Sequence, residues 1–205
     1  MHFVYVKATQ DVGYRDCRFA DYWRELGNLQ SSTAPLRGSY HFLTATSAGS
    51  AQAESYVKLR MQNGGFDKRE LPSVLDLEWD KTDTVRDRWV NKAPTEIMAS
   101  AKQWLDFVEQ KTGRRPFIYT ANSWLQERKI TKAQVASLKA AVWVADYSPT
   151  RRAIEKPEQP GGFPWTLWQF TDASELALAP GVKFDANIFK GLPADFDRQM
   201  GLVSP

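Results

Sequence analysis

The 205-residue sequence is poor in the residues that usually carry metal and redox chemistry. It has one cysteine, Cys17, and two histidines, His2 and His41. A lone cysteine excludes an intrachain disulfide, and two histidines are too few for a His-rich metal centre, so no metal or other cofactor is expected. No apolar run approaches the roughly 20 residues that span a bilayer, so membrane insertion is not expected. There is no Lys/Arg-rich block and no nucleic-acid motif, which removes nucleic acid from the expected partners. Residues 1–9 lack the basic start and long apolar run of a signal peptide. Cys17 lies in a helical pattern beside Phe19 and Ala20, where a small buried side chain is its expected role.

Hydrophobic residues make up 42% and charged residues 25%, the balance of an ordinary globular chain. The length suits one sizeable core, and a single domain over 1–205 is expected. The net charge of +3 is spread along the chain, and a mildly basic surface suits an anionic polymer without requiring one. Aromatics are abundant at 13%, including eight tryptophans. They serve either as core or as flat platforms for sugars, and composition does not separate the two.

Seven strand-like stretches alternate with helical ones: 2–9, 38–44, 71–79, 115–120, 140–147, 165–171 and 182–189. Helical spacing marks 16–29, 50–65, a long segment from Pro94 to Gly113, and 131–139 with Thr131 and Gln134 set for a capping box. Residues 81–92 read as a charged surface loop, and 157–164 as a Pro/Gly-rich one. This order predicts an α/β fold, an irregular (β/α) TIM-like barrel with fewer helices than strands.

The stretch "ELPSVLDLEWD" (70–80) is the anomaly, an apolar strand with Asp76, Glu78 and Asp80 at every second position. Alternate strand residues share a face, and two steps separate Cα atoms by roughly 6–7 Å. Carboxyls that close repel, and one pKa rises. A general acid beside an ionised carboxylate needs this arrangement, and glycoside hydrolysis uses such pairs. The competing role is a strand-end pair bonded to loop amides or to Arg and Lys. Polar and aromatic residues also mark the carboxyl ends of the other strands: Lys7 and Thr9, Tyr40 and His41, Tyr119, Asp146 and Tyr147, Gln169, and Asp185. In a barrel these ends converge on one cleft. Asp80 is expected on the solvated loop as a bystander. His41 is expected to be a packing residue, as are Trp23 and Trp104, whereas Trp143 and Trp168 stand open between core and sugar platform.

The segments "FVYVKAT", "YRDCRF", "GSYHF", "LPSVLDLEWD", "TGRRPFIYT", "VWVADY", "WTLWQFTD" and "FDANIF" together resemble the family 25 glycoside hydrolases, the Chalaropsis-type lysozymes, in the family's order from residue 3 to 189. The resemblance implies a peptidoglycan hydrolase cutting the β-1,4 bond between N-acetylmuramic acid and N-acetylglucosamine. By position it implies Glu78 as acid/base and Asp76 as the carboxylate assisting the substrate's acetamido group. Asp185 falls at the last-strand acid, and Tyr40, Tyr119, Tyr147, Trp168 and Gln169 at the sugar-binding groove. The implied partner is the glycan strand, and the implied place of action is outside the cytoplasm, at the cell wall or in the periplasm. With no signal peptide seen, this requires a non-classical route, phage-type release or a longer parent protein.

Two features depart from the family. Its usual first strand, carrying Asp-Val-Ser, has no counterpart, so an upstream segment, a partner protein or the 191–205 tail is expected to complete the barrel. Gln10-Asp11 stands where Glu-Gly is common. The alternatives are a catalytically weak or inactive peptidoglycan-binding module on the same scaffold, and a Mg²⁺ or Ca²⁺ site built from Asp76, Glu78 and Asp185.

Overall fold

The computed structural model describes residues 2–29, 34–159, 162–177 and 179–202. Residues 160–161 of the predicted loop and 203–205 of the tail lie outside the described residues. The strands are β1 (Phe3–Gln10), β2 (Tyr14–Arg15), β3 (Leu36–Phe42), β4 (Val74–Asp76), β5 (Phe117–Thr120), β6 (Val142–Ala145), β7 (Trp165–Leu176) and β8 (Ala179–Phe189). They form one curled sheet in the order β2-β1-β3-β4-β5-β6-β7-β8. β1 and β3 to β7 run parallel, while β8 returns antiparallel to β7. The fold is the expected α/β type, but among the described residues no backbone pairing joins β1 to β8.

Helices α1 (Phe19–Asn28), α2 (Gly49–Gln62), α3 (Pro94–Thr112), α4 (Asn122–Glu127), α5 (Lys132–Ser137) and α6 (Pro149–Ala153) follow successive strands, and α7 (Phe196–Gln199) closes the described chain. α3 forms as its sequence dictates. Pro94 fills the first turn, Glu96 accepts from the Ala93 amide, and Gly113 ends the helix in a left-handed conformation at φ 69°. Its buried face is Ile97, Met98, Ala101, Trp104, Leu105 and Val108. α5 carries the predicted box, with the Gln134 amide on Thr131 Oγ1 and the Thr131 amide on Gln134 Oε1.

Strand alternation sorts the apolar residues into two layers. On β4, Leu75 packs outward among the helices with Trp104 and Tyr56, while Val74 packs inward with Phe117, Trp143 and Leu167. His41 is a packing residue, as expected. It stacks on Trp104 at 5.6 Å and hydrogen-bonds Thr9 and Gln52. Burial pulls its pKa down to about 4, so the ring stays neutral. Trp23 and Trp104 are core, as expected.

Several expectations need correction. α1 begins at Phe19, not residue 16, so Cys17 precedes the helix and is exposed. β4 stops at Asp76, three residues before the predicted end. The 81–92 segment contains a 3-10 turn, Arg88–Asn91, that buries Trp89. The sheet ends in an antiparallel hairpin where strand–helix alternation predicts a parallel sheet. Among the described residues the tail adds no strand. Instead Phe196 of α7 sits between the ends of β1 and β8, 5.7 Å from the Phe3 ring and 5.0 Å from the Phe189 ring. An aromatic wedge thus joins β1 and β8 where, among the described residues, hydrogen bonds do not. Phe196→Ala is expected to destabilise the protein by about 3 kcal/mol or more, read from the urea midpoint, because no backbone ladder backs up the lost packing.

Candidate active site

The inner face carries the chemistry because residues in register across a parallel sheet share a face. Gln10, Phe42, Asp76 and Tyr119 lie in register from β1 to β5, and Ala145, Gln169 and Asn187 from β6 to β8. Above the inner apolar layer they open into a cavity of about 560 Å³. Asp76 and Glu78 stand on its floor, Asp185 and Asn187 on the β8 wall, and Tyr40, Tyr119 and Gln169 between them. Tyr147, 40% exposed, stands at the mouth.

Asp76 is 8% exposed, and its Oδ1 is buried without a hydrogen-bond partner. Its backbone is fixed on both sides, with its carbonyl accepting from the Leu43 amide and the Leu77 amide donating to Tyr119. Burial, then the Glu78 charge, raise the Asp76 pKa well above the usual carboxylate range, opposed by Lys7. Glu78 is also raised, by burial first and by Asp185, with Lys7 and Lys81 opposing. The two carboxyls therefore compete for a proton. Asp185 is raised by burial and eased by a hydrogen bond with Gln169. Burial also holds the Tyr40 and Tyr119 phenols neutral.

The structure brings together Asp76, Glu78, Asp185, Tyr40, Tyr119, Tyr147 and Gln169. It does not bring Trp168. Adjacent strand residues point to opposite faces, so Gln169 faces in and Trp168 faces out. Trp168 is 4% exposed in the outer core and donates to the Asp146 carbonyl. Trp143 lines the cavity, and its indole N–H donates to Asn187 Oδ1 at 2.9 Å, tying β6 to β8. Asn187, which beside Asp185 in "FDAN" reads from sequence as a turn former, was not among the expected site residues, although counting two residues on from Asp185 marks it.

Asp80 corrects an expectation. It is 1% exposed, pairs with Arg88 at 2.7 Å and accepts from the Ala45 amide. It is a structural anchor rather than a solvated loop acid. Among the described residues no group of three or more His, Cys, Asp or Glu side chains is placed to hold a metal ion. No described helix is long and apolar enough to cross a membrane.

The family model for glycosyl hydrolases family 25 matches residues 1–178. The chain belongs to this family. Lysozyme M1 of Streptomyces globisporus is 30% identical over 95% of the chain, which spans 62% of that relative's length. The N,O-diacetylmuramidase of Chalaropsis sp is 29% identical, over 83% of this chain and 77% of that protein. Among solved structures, the bacterial lysozyme from Streptomyces coelicolor superposes with a TM-score of 0.78 at 27% identity, covering 98% of this chain and 87% of that one. The family 25 model ends before β8, and Asp185 and Asn187 are brought to the site by the cavity geometry.

A buried carboxyl whose pKa rises on folding is a burden once ionised. The unfolded chain gives up the Asp76 proton near pH 4, the folded chain only at higher pH, so stability falls as pH rises through that window. Asp76→Asn is expected to melt higher than the parent at pH 7, by about 2–4 °C for each kcal/mol relieved. The gain should vanish below pH 4, as calorimetry across pH would record.

Proposed function

We propose that this family 25 chain is a muramidase, cleaving the β-1,4 bond between N-acetylmuramic acid and N-acetylglucosamine in peptidoglycan. Glu78 is the acid/base and Asp76 the partner of the substrate's 2-acetamido group. The observation that carries this reading is the buried, unpartnered Asp76 Oδ1 beside Glu78. A buried acceptor without a donor is costly, and the N–H of a bound acetamido group would supply one.

That contact also assigns the proton. Burial alone favours the proton on Asp76, the deeper carboxyl. An N–H donated to Asp76 stabilises its ionised form, and the resulting charge raises Glu78 further. Substrate binding thus moves the proton onto Glu78, the group that needs it. Glu78 protonates the glycosidic oxygen as the C1–O bond breaks, while the acetamido oxygen attacks C1 from the opposite face. A water, giving its proton to Glu78, then opens the cyclic intermediate with net retention. Asp185 adds a third negative charge facing the developing positive charge. Tyr40, Tyr119, Tyr147 and Gln169 border the sugars.

The same reading places the protein's action on glycan strands outside the cytoplasm. Among the described residues β2 pairs only Thr9 and Gln10 of β1, and the rest of that edge is where an upstream segment or partner protein would add a strand. A binding module on this scaffold is the second reading, favoured only by that open edge. Glu78→Gln is expected to lower muropeptide release from purified peptidoglycan by about 10²–10⁴-fold while leaving the fold intact by circular dichroism. Mass spectrometry of the digest should find reducing-end muramic acid. Glycan pull-down without products, in the parent protein, would leave the binding module.

A further inference from the structure

β1 contains an irregularity that ordinary strand alternation does not explain. Lys7 is in register with Tyr40, but the next pairs are Thr9 with His41 and Gln10 with Phe42, so Ala8 is an extra residue. Tyr40 lines the cleft and His41 lies in the outer core. Without the bulge, Thr9 would follow Lys7 onto the inner face and Gln10 would point outward. The bulge reverses the phase, turning Thr9 out to bond His41 at 2.7 Å and bringing Gln10 in beside Lys7. Bulges near active sites commonly re-aim a side chain in this way.

The Lys7 ammonium donates to Gln10 Oε1 at 2.8 Å and lies 5.1 Å from the Phe42 ring and 5.3 Å from the Tyr14 ring. Phe42 is the direct neighbour of Asp76 on β4. The ammonium is thus fixed between an aromatic pair and a neutral amide, and no side-chain carboxylate takes up its charge at contact distance among the described residues. We infer that Lys7 is the counter-ion of the Asp76–Glu78 pair, a positioning residue whose charge, left free by the neutral Gln10, keeps one carboxyl ionised while the other holds the proton.

The surrounding charges fit this role. Facing Lys7 are Asp16 beyond β2, Asp76 and Glu78 beyond β3, the neutral Tyr40 and the Tyr14 ring. Burial lowers the Lys7 pKa, and Asp76, Asp16 and Glu78 hold it up. On the pair itself, Asp185 acts from β8 against Lys7, and Lys81 reinforces Lys7 at Glu78. His41, on the opposite face, is neutral and adds no charge.

The inference rests on the muramidase reading for its consequence but not for its measurement. Lys7→Met should move both limbs of the pH profile of kcat/KM upward by about one unit, a tenfold change in proton concentration, since a cation lowers both carboxyl pKa values. Gln10→Glu, which neutralises Lys7 without removing it, should move them the same way, and Lys7→Arg should leave them in place. Carboxyl NMR titration of Asp76 and Glu78 in the same variants reads the same shift without turnover. A parent protein that releases no muropeptides would overturn the muramidase reading, and the titration would still decide this one. Unmoved carboxyl titrations in Lys7→Met and Gln10→Glu would overturn the role of Lys7.

Discussion

The site depends on one electrostatic constraint. Two carboxyls two residues apart at the carboxyl end of a buried parallel strand, one on its last residue and one just past it, cannot both be ionised cheaply. The Coulomb energy of such a pair grows steeply as the effective dielectric falls, and here burial raises both pKa values. The pair therefore holds a proton at a pH where isolated carboxyls have lost theirs. Its neighbours are consistent with managing that proton: one cation on β1, a third acid on β8, and neutral phenols around the wall.

Such a pair is useful only if the strand cannot shift, and β4 is three residues long. It is pinned at both ends by other acids of the same stretch. Before the strand, Glu70 takes the guanidinium groups of Arg37 at 2.8 Å and Arg60 at 2.5 Å, while Arg114 donates to its carbonyl. Arg60 is itself clamped 3.7 Å over the Trp23 ring. After the strand, Asp80 takes Arg88 and the Ala45 amide, joining the β3 and β4 exits. Breaking a buried pair of this kind strands a charge, so both anchors resist displacement. Of the four acids between residues 70 and 80, the outer two are neutralised by arginine and the inner two are not. That division separates structural from reactive carboxyls.

The sequence made the strands and the long helix legible because their signals are local: β-branched runs, the Pro94 start, the Gly113 stop. It made most of the cleft legible because polar residues at successive strand ends converge in any barrel. Asp80 was misplaced because its partner Arg88 lies across a loop whose turn depends on burying Trp89. Trp168 was misassigned against the strand's own alternation, which allows either it or Gln169 inside but not both. α4, α6 and α7 are too short for periodicity to register, and the role of α7 depends on a contact with Phe3 at the far end of the chain as well as with Phe189 beside it.

The bulges were also beyond reach, and they explain how the sheet gathers its charges. A regular strand offers one inward residue in two, fixed by register. β4 needs no more than that for Asp76, and Glu78 follows two residues on, just past the strand's end. Lys7 and Gln10 reach the same face only through the bulge at Ala8, and Asp185 lies where β7 and β8 slip register between Thr171 and Ser174. Regular pairing places Asp76, with Glu78 just past it, and irregular pairing brings the groups that tune them. A bulge costs ladder hydrogen bonds and local regularity, so its recurrence beside these charged residues is best explained by where it aims the side chains.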